Sequence, residues 1–454
     1  MRTLLSLALL LAAPAAAQQL TASQPSTYTR ALAAGYKAQM LCSGIFNAGR
    51  SEAEIAADEL RGIYPEYEAI VPTLTATVDR RTATVAVPFA ADLPPRQATW
   101  HRGVGCTAAA IGATPPVIAT HAVPPGPASA DPRAWPAGDA GITPKPSASL
   151  AAAVDRAFDH ATYGTGETVG VVVLRDGKVV AERYRQGFGP FTSNRTWSVA
   201  KSVAGTIMGM VVKAGHLQPT SAELLPEWNG IGDPRAAITL DNLLRMASGL
   251  HSDTAGNRTD AIYFGGGTVA QDATHWPLEA KPGTRFRYAN NDILLAVHAL
   301  KDKIGGTAYE ILPEFVLFDR IGMRHTVAEK DWNNDYILSS QVWSTARDLA
   351  RLGQFWLQDG VWEGRRLLPE GWMRYMTTPS GPQPAEGPGY GATLWLFGPK
   401  QGLPGGSYAA QGNRGQYVMV IPSKRLVIVR RGEDPGAARF DIAKFSADIA
   451  AALR

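Results

Sequence analysis

Two kinds of hydrophobic spacing alternate along the chain. "TRALAAGYKAQMLCSGIF" and "SEAEIAADELRGI" carry apolar residues at helical intervals, and the second opens on Ser51 as an N-cap with Glu54 at the capping-box position. "TLTATVD" and "TATVAVPF" alternate polar and apolar residues, which predicts two half-buried strands turning at "DRR". Further on, "LAAAVDRAFDHA" reads as an amphipathic helix. "TVGVVVLRDGKVVAERYRQGF" reads as a hairpin turning at Asp176-Gly177. A helix-rich stretch then runs to about Leu357. Strands return at "GYGATLWLFG" and "SYAAQGNRGQYVMVIPSKRLVIVRRG", and "GAARFDIAKFSADIAAALR" closes as a helix. Strands at both ends with helices between them predict one sheet assembled from both ends, flanked by terminal helices, with a helical lobe inserted.

Punctuation divides this pattern. From Thr114 to Pro146 prolines exclude helix interiors and central strands, leaving an extended connector in which Trp135 is expected to lie along the following domain. The expected organisation is a leader over 1–17, a small α+β unit over 18–113, the connector over 114–148 and a larger α/β domain over 149–454. The leader, "MRTLLSLALLLAAPAAAQQ", has one arginine, an apolar run too short to span a bilayer comfortably, and Ala15-Ala16-Ala17 before Gln18. That is the pattern of a secretory signal peptide cleaved after Ala17. It predicts a periplasmic or secreted protein with no stable membrane insertion after cleavage. In an oxidising compartment the two cysteines, Cys42 and Cys106, can close a disulfide, the alternative being two buried thiols that never meet.

Charge and metal-ligand spacing exclude other classes. The net charge of +4 is small for 454 residues and is not gathered into runs, so no nucleic-acid partner is expected. The eight histidines form no H-E-x-x-H or similar cluster, so neither a metal nor another cofactor is expected. Oligomeric state leaves no mark in the sequence.

The chemistry gathers at "NRTWSVAKSVAG". Ser198 and Lys201 are three apart, so on a helix they share a face, and the residues that follow are apolar nearly all round. A lysine near the start of a buried helix costs free energy unless it is paired or neutral. A serine hydroxyl needs a neighbouring base before it becomes a good nucleophile. S-x-x-K alone is a weak signal, and a lysine at a frayed, wet helix end is the competing explanation. No other serine in the chain has a lysine three residues on. The second piece is Tyr288-x-Asn290, which pairs a possible general base with an amide able to hold the lysine and a substrate carbonyl. Alone it reads more readily as a loop tyrosine beside a turn asparagine.

Together these motifs resemble the serine β-lactamase-related family. The resemblance rests on "WSVAKS", "LLRMASGL" at 243–250, "PGTRFRYAN" at 282–290 and "WSTARDLARLGQFWL" at 343–357, and covers about 150 to 454. It runs closest to the 6-aminohexanoate-dimer hydrolase branch. It implies a two-lobed domain, an antiparallel sheet with flanking helices plus an all-α lobe, with the site at the lobe boundary. By resemblance Ser198 is the acylated nucleophile, Lys201 its hydrogen-bonded partner and Tyr288 the general base that returns the proton. Asn290 orients lysine and substrate, and the N–H groups of Ser198 and of Asn413, beside Gly412, form the oxyanion hole. The substrate implied is a small amide or ester. A β-lactamase or D,D-peptidase, and a ligand-binding module without turnover, are the alternatives.

The sequence departs from the family at one place. Where the family's third motif reads K-T-G, this chain has Ala410-Gln411-Gly412, so the lysine is missing. Arg414 is a candidate replacement cation, and a Gly-rich edge turn without a catalytic part is the competing reading. Tyr263, Phe264 and Trp276 are candidate pocket walls, and equally ordinary packing aromatics.

Overall fold

A computed structural model describes residues 25–113, 130–252 and 259–453. The expected signal peptide and the first half of the connector lie outside the described residues.

The N-terminal segment folds around one long helix, α1 (Thr27–Phe46), whose first turn is capped by the Ser26 side chain accepting from the Thr29 N–H. Helix α2 (Glu52–Ala57) carries the full reciprocal capping box of Ser51 and Glu54. It ends at Ala57, shorter than the apolar spacing predicts, with the Asp58 and Glu59 side chains next along turned onto the Arg50 guanidinium. Strands β1 (Thr77–Asp79) and β2 (Thr84–Val87) form where alternation predicts them. Two more, β3 (Arg96–His101) and β4 (Gly105–Ala108), complete an antiparallel sheet in sequence order. Strand β3 was hidden because a buried inward position is filled by Arg96, whose guanidinium donates to the carbonyl of Phe264 at 2.8 Å. Cys42 on α1 and Cys106 on β4 are joined by a disulfide.

The larger region begins with α3 (Ala148–Arg156) and the hairpin of β5 (Thr168–Arg175) and β6 (Lys178–Tyr184). Helices α4 (Val199–Lys213), α5 (Asn290–Ile304) and α6 (Ala346–Leu357) follow. Strands β7 (Gly389–Tyr390), β8 (Trp395–Phe397), β9 (Ser407–Gly412), β10 (Gln416–Ile421) and β11 (Leu426–Gly432) return before α7 (Ile442–Ala452). The seven-stranded antiparallel sheet runs β7-β8-β9-β10-β11-β5-β6, so the last strand of the chain pairs with the first strand of this region, Ile428 opposite Val173. The mixed α/β fold expected from the pattern is therefore present, with its sheet closed from both ends.

Burial on both faces explains the continuous apolar strands. On one face α3 and α7 pack Leu150, Val154, Phe445 and Ile449 against Val171, Met419 and Ile428. On the other, α6 comes so near the sheet that a Cβ on Gly353 would stand 2.5 Å from Val427. The second half of the connector lies on the hairpin. Trp135 donates from Nε1 to Gly177 O at 2.8 Å, and the Arg351 guanidinium stacks over its ring.

The N-terminal segment shares its core with the larger region, for buried side chains run without a break from α1 into the helical lobe. Its polar contacts converge on Glu329. This buried carboxylate accepts from Ser43 Oγ at 2.6 Å, Asn47 Nδ2 at 2.9 Å, Gln39 Nε2 at 3.0 Å and the Cys106 N–H at 3.0 Å. Tyr67 donates to Asp260 at 2.6 Å. Among the described residues no helix is long and apolar enough to cross a membrane.

Candidate active site

Ser198 stands at the N-terminus of α4, after a tight turn. Trp197 has a φ of 49°, a left-handed conformation that costs a non-glycine residue roughly 1–3 kcal/mol unless its surroundings impose it. They do so here. The Thr196 N–H donates to Val342 O at 2.7 Å, and the Arg195 guanidinium lies 3.7 Å from the centroid of the Trp197 ring. The turn lifts Ser198 to the floor of a cleft of about 350 Å³, while the rest of α4 sinks into the core.

Lys201 is wholly buried, one turn along. Its Nζ has three partners: Ser198 Oγ at 2.8 Å, Asn290 Oδ1 at 2.6 Å and the carbonyl of Ser339 at 2.8 Å. Burial, reinforced by the positive charge of Arg195, holds the ammonium well below the usual lysine range. The Tyr288 ring lies beside it, with Nζ 5.0 Å from the centroid. Burial pushes the Tyr288 phenol above its usual range, and a hydrogen bond with Ser198 works the other way. Helix α5 starts at Asn290, so the Tyr-x-Asn spacing sets the phenol before the helix and the amide on its first residue.

The opposite wall is strand β9. Gly412 passes so close to the turn that a Cβ there would stand 2.4 Å from Thr196 O and 3.1 Å from the Ser198 nitrogen. Only glycine lets the strand approach, which gives this residue a physical reason that an edge turn would not supply. Asn413, next along, also lines the cleft. Ser198, Tyr288, Asn290, Gly412 and Asn413 therefore face one cavity, with Lys201 directly beneath Ser198.

Other expectations are corrected. Arg414 does not point into the Ser198 cleft. Its guanidinium is spent on the Glu433 carboxylate at 3.1 Å and on the carbonyls of Asp58, Arg61, Gly62 and Glu433. Ala410 is buried in the core, and at the third motif the cleft meets the neutral amide of Gln411. Of the three candidate wall aromatics only Tyr263 lines the cleft, with its hydroxyl 2.5 Å from Ser339 Oγ. Phe264 is a core residue set edge-on to Tyr36, and Trp276 stacks on His251. Sequence reasoning did not find Tyr64, Trp395, Ser340 and Gln411, which also line the cleft. Nor did it find Arg195 and Ser339, which act on Lys201. Trp197, immediately before the serine, was the one with a local signal. Among the described residues no cluster of three His, Cys, Asp or Glu side chains is placed to hold a metal.

A serine and a buried lysine on one helix, facing a tyrosine and an edge strand, on an antiparallel sheet with an inserted helical lobe, define the class of β-lactamase-like proteins. The β-lactamase family matches residues 154–447, and this chain belongs to that family of serine hydrolases. A 6-aminohexanoate-dimer hydrolase of Paenarthrobacter ureafaciens is 30% identical over 221 residues, 44% of this chain and 55% of the relative, so the chain spans about half of that protein's length. Among solved structures, a Bacillus anthracis protein provisionally named a 6-aminohexanoate-dimer hydrolase superposes with a TM-score of 0.56 at 20% identity. That match covers 66% of this chain and 81% of the other. A penicillin-binding protein homologue from Caulobacter crescentus gives 0.54 at 18% identity, over 68% and 98%. At such identities these structures speak for the fold alone. All of the family match lies beyond the N-terminal segment.

Proposed function

We propose that the protein is an exported serine hydrolase that cleaves a small amide or ester through an acyl-enzyme on Ser198. The observation that carries this reading is the set of three bonds at Lys201. Asn290 Oδ1 and Ser339 O are carbonyl oxygens and can only accept. A neutral amine gives its two N–H groups to them, and its lone pair is left facing the Ser198 hydroxyl. The depressed lysine and the elevated tyrosine both support this arrangement: Lys201 as the resting base and Tyr288 as a protonated phenol.

The reaction then balances as follows. Ser198 Oγ attacks the carbonyl carbon as Lys201 takes its proton. The oxyanion is held by the N–H groups of Ser198 and Asn413, each donor of this kind being worth about 3 kcal/mol. The C–N or C–O bond breaks as Tyr288 protonates the leaving group, and Lys201 restores the phenol proton. Water then releases the acid from Ser198 by the same steps in reverse. Export rests on the leader pattern and agrees with the Cys42–Cys106 disulfide. A β-lactamase or D,D-peptidase has less support, since Ala410 and Arg414 leave no cation at the third motif. The full set of reacting groups weighs against a ligand-binding module.

A fluorophosphonate probe should label wild-type protein at Ser198, and Ser198→Ala should lose both the label and ester or amide turnover while keeping its far-UV circular dichroism. Retention of more than about a tenth of the activity in Ser198→Ala would overturn the assignment.

A further inference from the structure

A second chamber of about 330 Å³ opens beside the Ser198 cleft. The two share Tyr64, Trp197 and Asn413 as common walls. Tyr64 and Trp197 meet edge to face there, with ring centroids 6.3 Å apart. Past them the chamber is lined by Gly62, Ile63 and Pro65 from the N-terminal segment and by Ala437 from the loop before α7. None of Lys201, Tyr288 and Asn290 lines it.

Two features define what it would hold. Two of its three charged walls are already engaged, Asp434 by Arg430 at 2.8 Å and Arg414 by Glu433 and the Asp58–Gly62 carbonyls, while the third, Arg439, is solvent-exposed and donates to the carbonyl of Ala438. That leaves mainly apolar surface for a ligand. The leaving group of an acyl transfer must stay within reach of the Tyr288 hydroxyl, so the chamber that lacks Tyr288 falls to the other side of the scissile bond. We infer that this chamber, half built by the N-terminal segment, is an acyl-chain subsite, and that the protein acts on unbranched apolar acyl groups several carbons long.

This inference rests on the serine-hydrolase reading, and its test separates the two. kcat/KM is measured for p-nitrophenyl acetate, butyrate, hexanoate and octanoate on wild type, Ala437→Trp and Ile63→Ser, each protein being titrated with a fluorophosphonate probe. Ala437 is exposed at the chamber wall, so tryptophan there can fill the space without entering the core. For the wild type each added methylene should raise kcat/KM about fourfold, the ratio that corresponds to about 0.8 kcal/mol per buried CH₂. In Ala437→Trp the rise should stop at the short esters, and in Ile63→Ser it should become shallower. A flat chain-length profile in labelled wild-type protein, or an unchanged slope in both variants, overturns the subsite and leaves the hydrolase reading standing. Absence of both labelling and ester turnover overturns both.

Discussion

Arg195 acts on Lys201 through the field of its charge. The arginine is itself buried, flat against Trp197 and donating to Ser340 Oγ at 2.8 Å, while its Nε and Nη1 have no hydrogen-bond partner. A cation placed there at such cost disfavours a second positive charge at Lys201. In the proposed mechanism the lysine must be neutral, so kcat/KM should fall as pH drops through the lowered Lys201 pKa. Replacing Arg195 by Gln removes the opposing charge and raises that pKa. The acid limb of the pH–rate profile should then move to higher pH, and an unmoved limb in a folded variant would show that burial, the larger cause, sets the Lys201 pKa without Arg195.

Gly412→Ala tests the approach of β9 to Ser198. The new methyl would press on Thr196 O and the Ser198 nitrogen, neither of which is a flexible side-chain end. Pushing the strand back would displace Asn413 as well, so kcat should drop by about 10²–10³, as when an oxyanion donor is lost. Overpacking of this kind costs typically 1–3 kcal/mol of stability, measurable by urea unfolding.

β-Lactams should be poor substrates. Ala410 is buried and Arg414 is held by Glu433 and the backbone carbonyls of the N-terminal segment, so among the described residues no cation stands at the third motif to hold a carboxylate. One missing charge-assisted bond is worth roughly 1.5–3 kcal/mol, or about 10- to 150-fold in specificity. Nitrocefin should show a lower kcat/KM than a p-nitrophenyl ester, and the reverse order would place the protein with the β-lactamases.

Reduction should loosen the N-terminal segment. The Cys42–Cys106 bridge closes a loop of sequence separation 64, and such bridges contribute typically about 2–4 kcal/mol. Thiol titration of denatured, exported protein should find no free cysteine. Dithiothreitol should lower the unfolding midpoint, and if Tyr64 is needed for the cleft, ester activity should fall with it.

What could be read from the sequence was local chemistry. Asp176-Gly177 fixed a hairpin, Ser51 and Glu54 fixed a helix start, and the spacings of Ser198, Lys201, Tyr288 and Asn290 marked residues that one cleft brings together. What could not be read depended on partners far away in the chain. Strand β3 breaks its alternation at Arg96 because the carbonyl of Phe264 is there to receive it. Arg414 looked free because Asp58, Arg61 and Gly62 are distant in sequence. Tyr64 carries no local mark of a cleft residue; contacts distant in sequence, among them α1 on Glu329 and the Asp58–Gly62 backbone on Arg414, bring it to the cleft.

The pairing of β11 with β5 bears on how the protein comes into being. The sheet that carries β9, and with it Gly412 and Asn413, closes only when residues 426–432 reach the hairpin made near the start of the same region. Until residues 426–432 have paired with that hairpin, Ser198 lacks the wall that β9 supplies. On the proposed serine-hydrolase reading, the site is therefore assembled late, by the last strand of the chain rather than by the helix that carries Ser198.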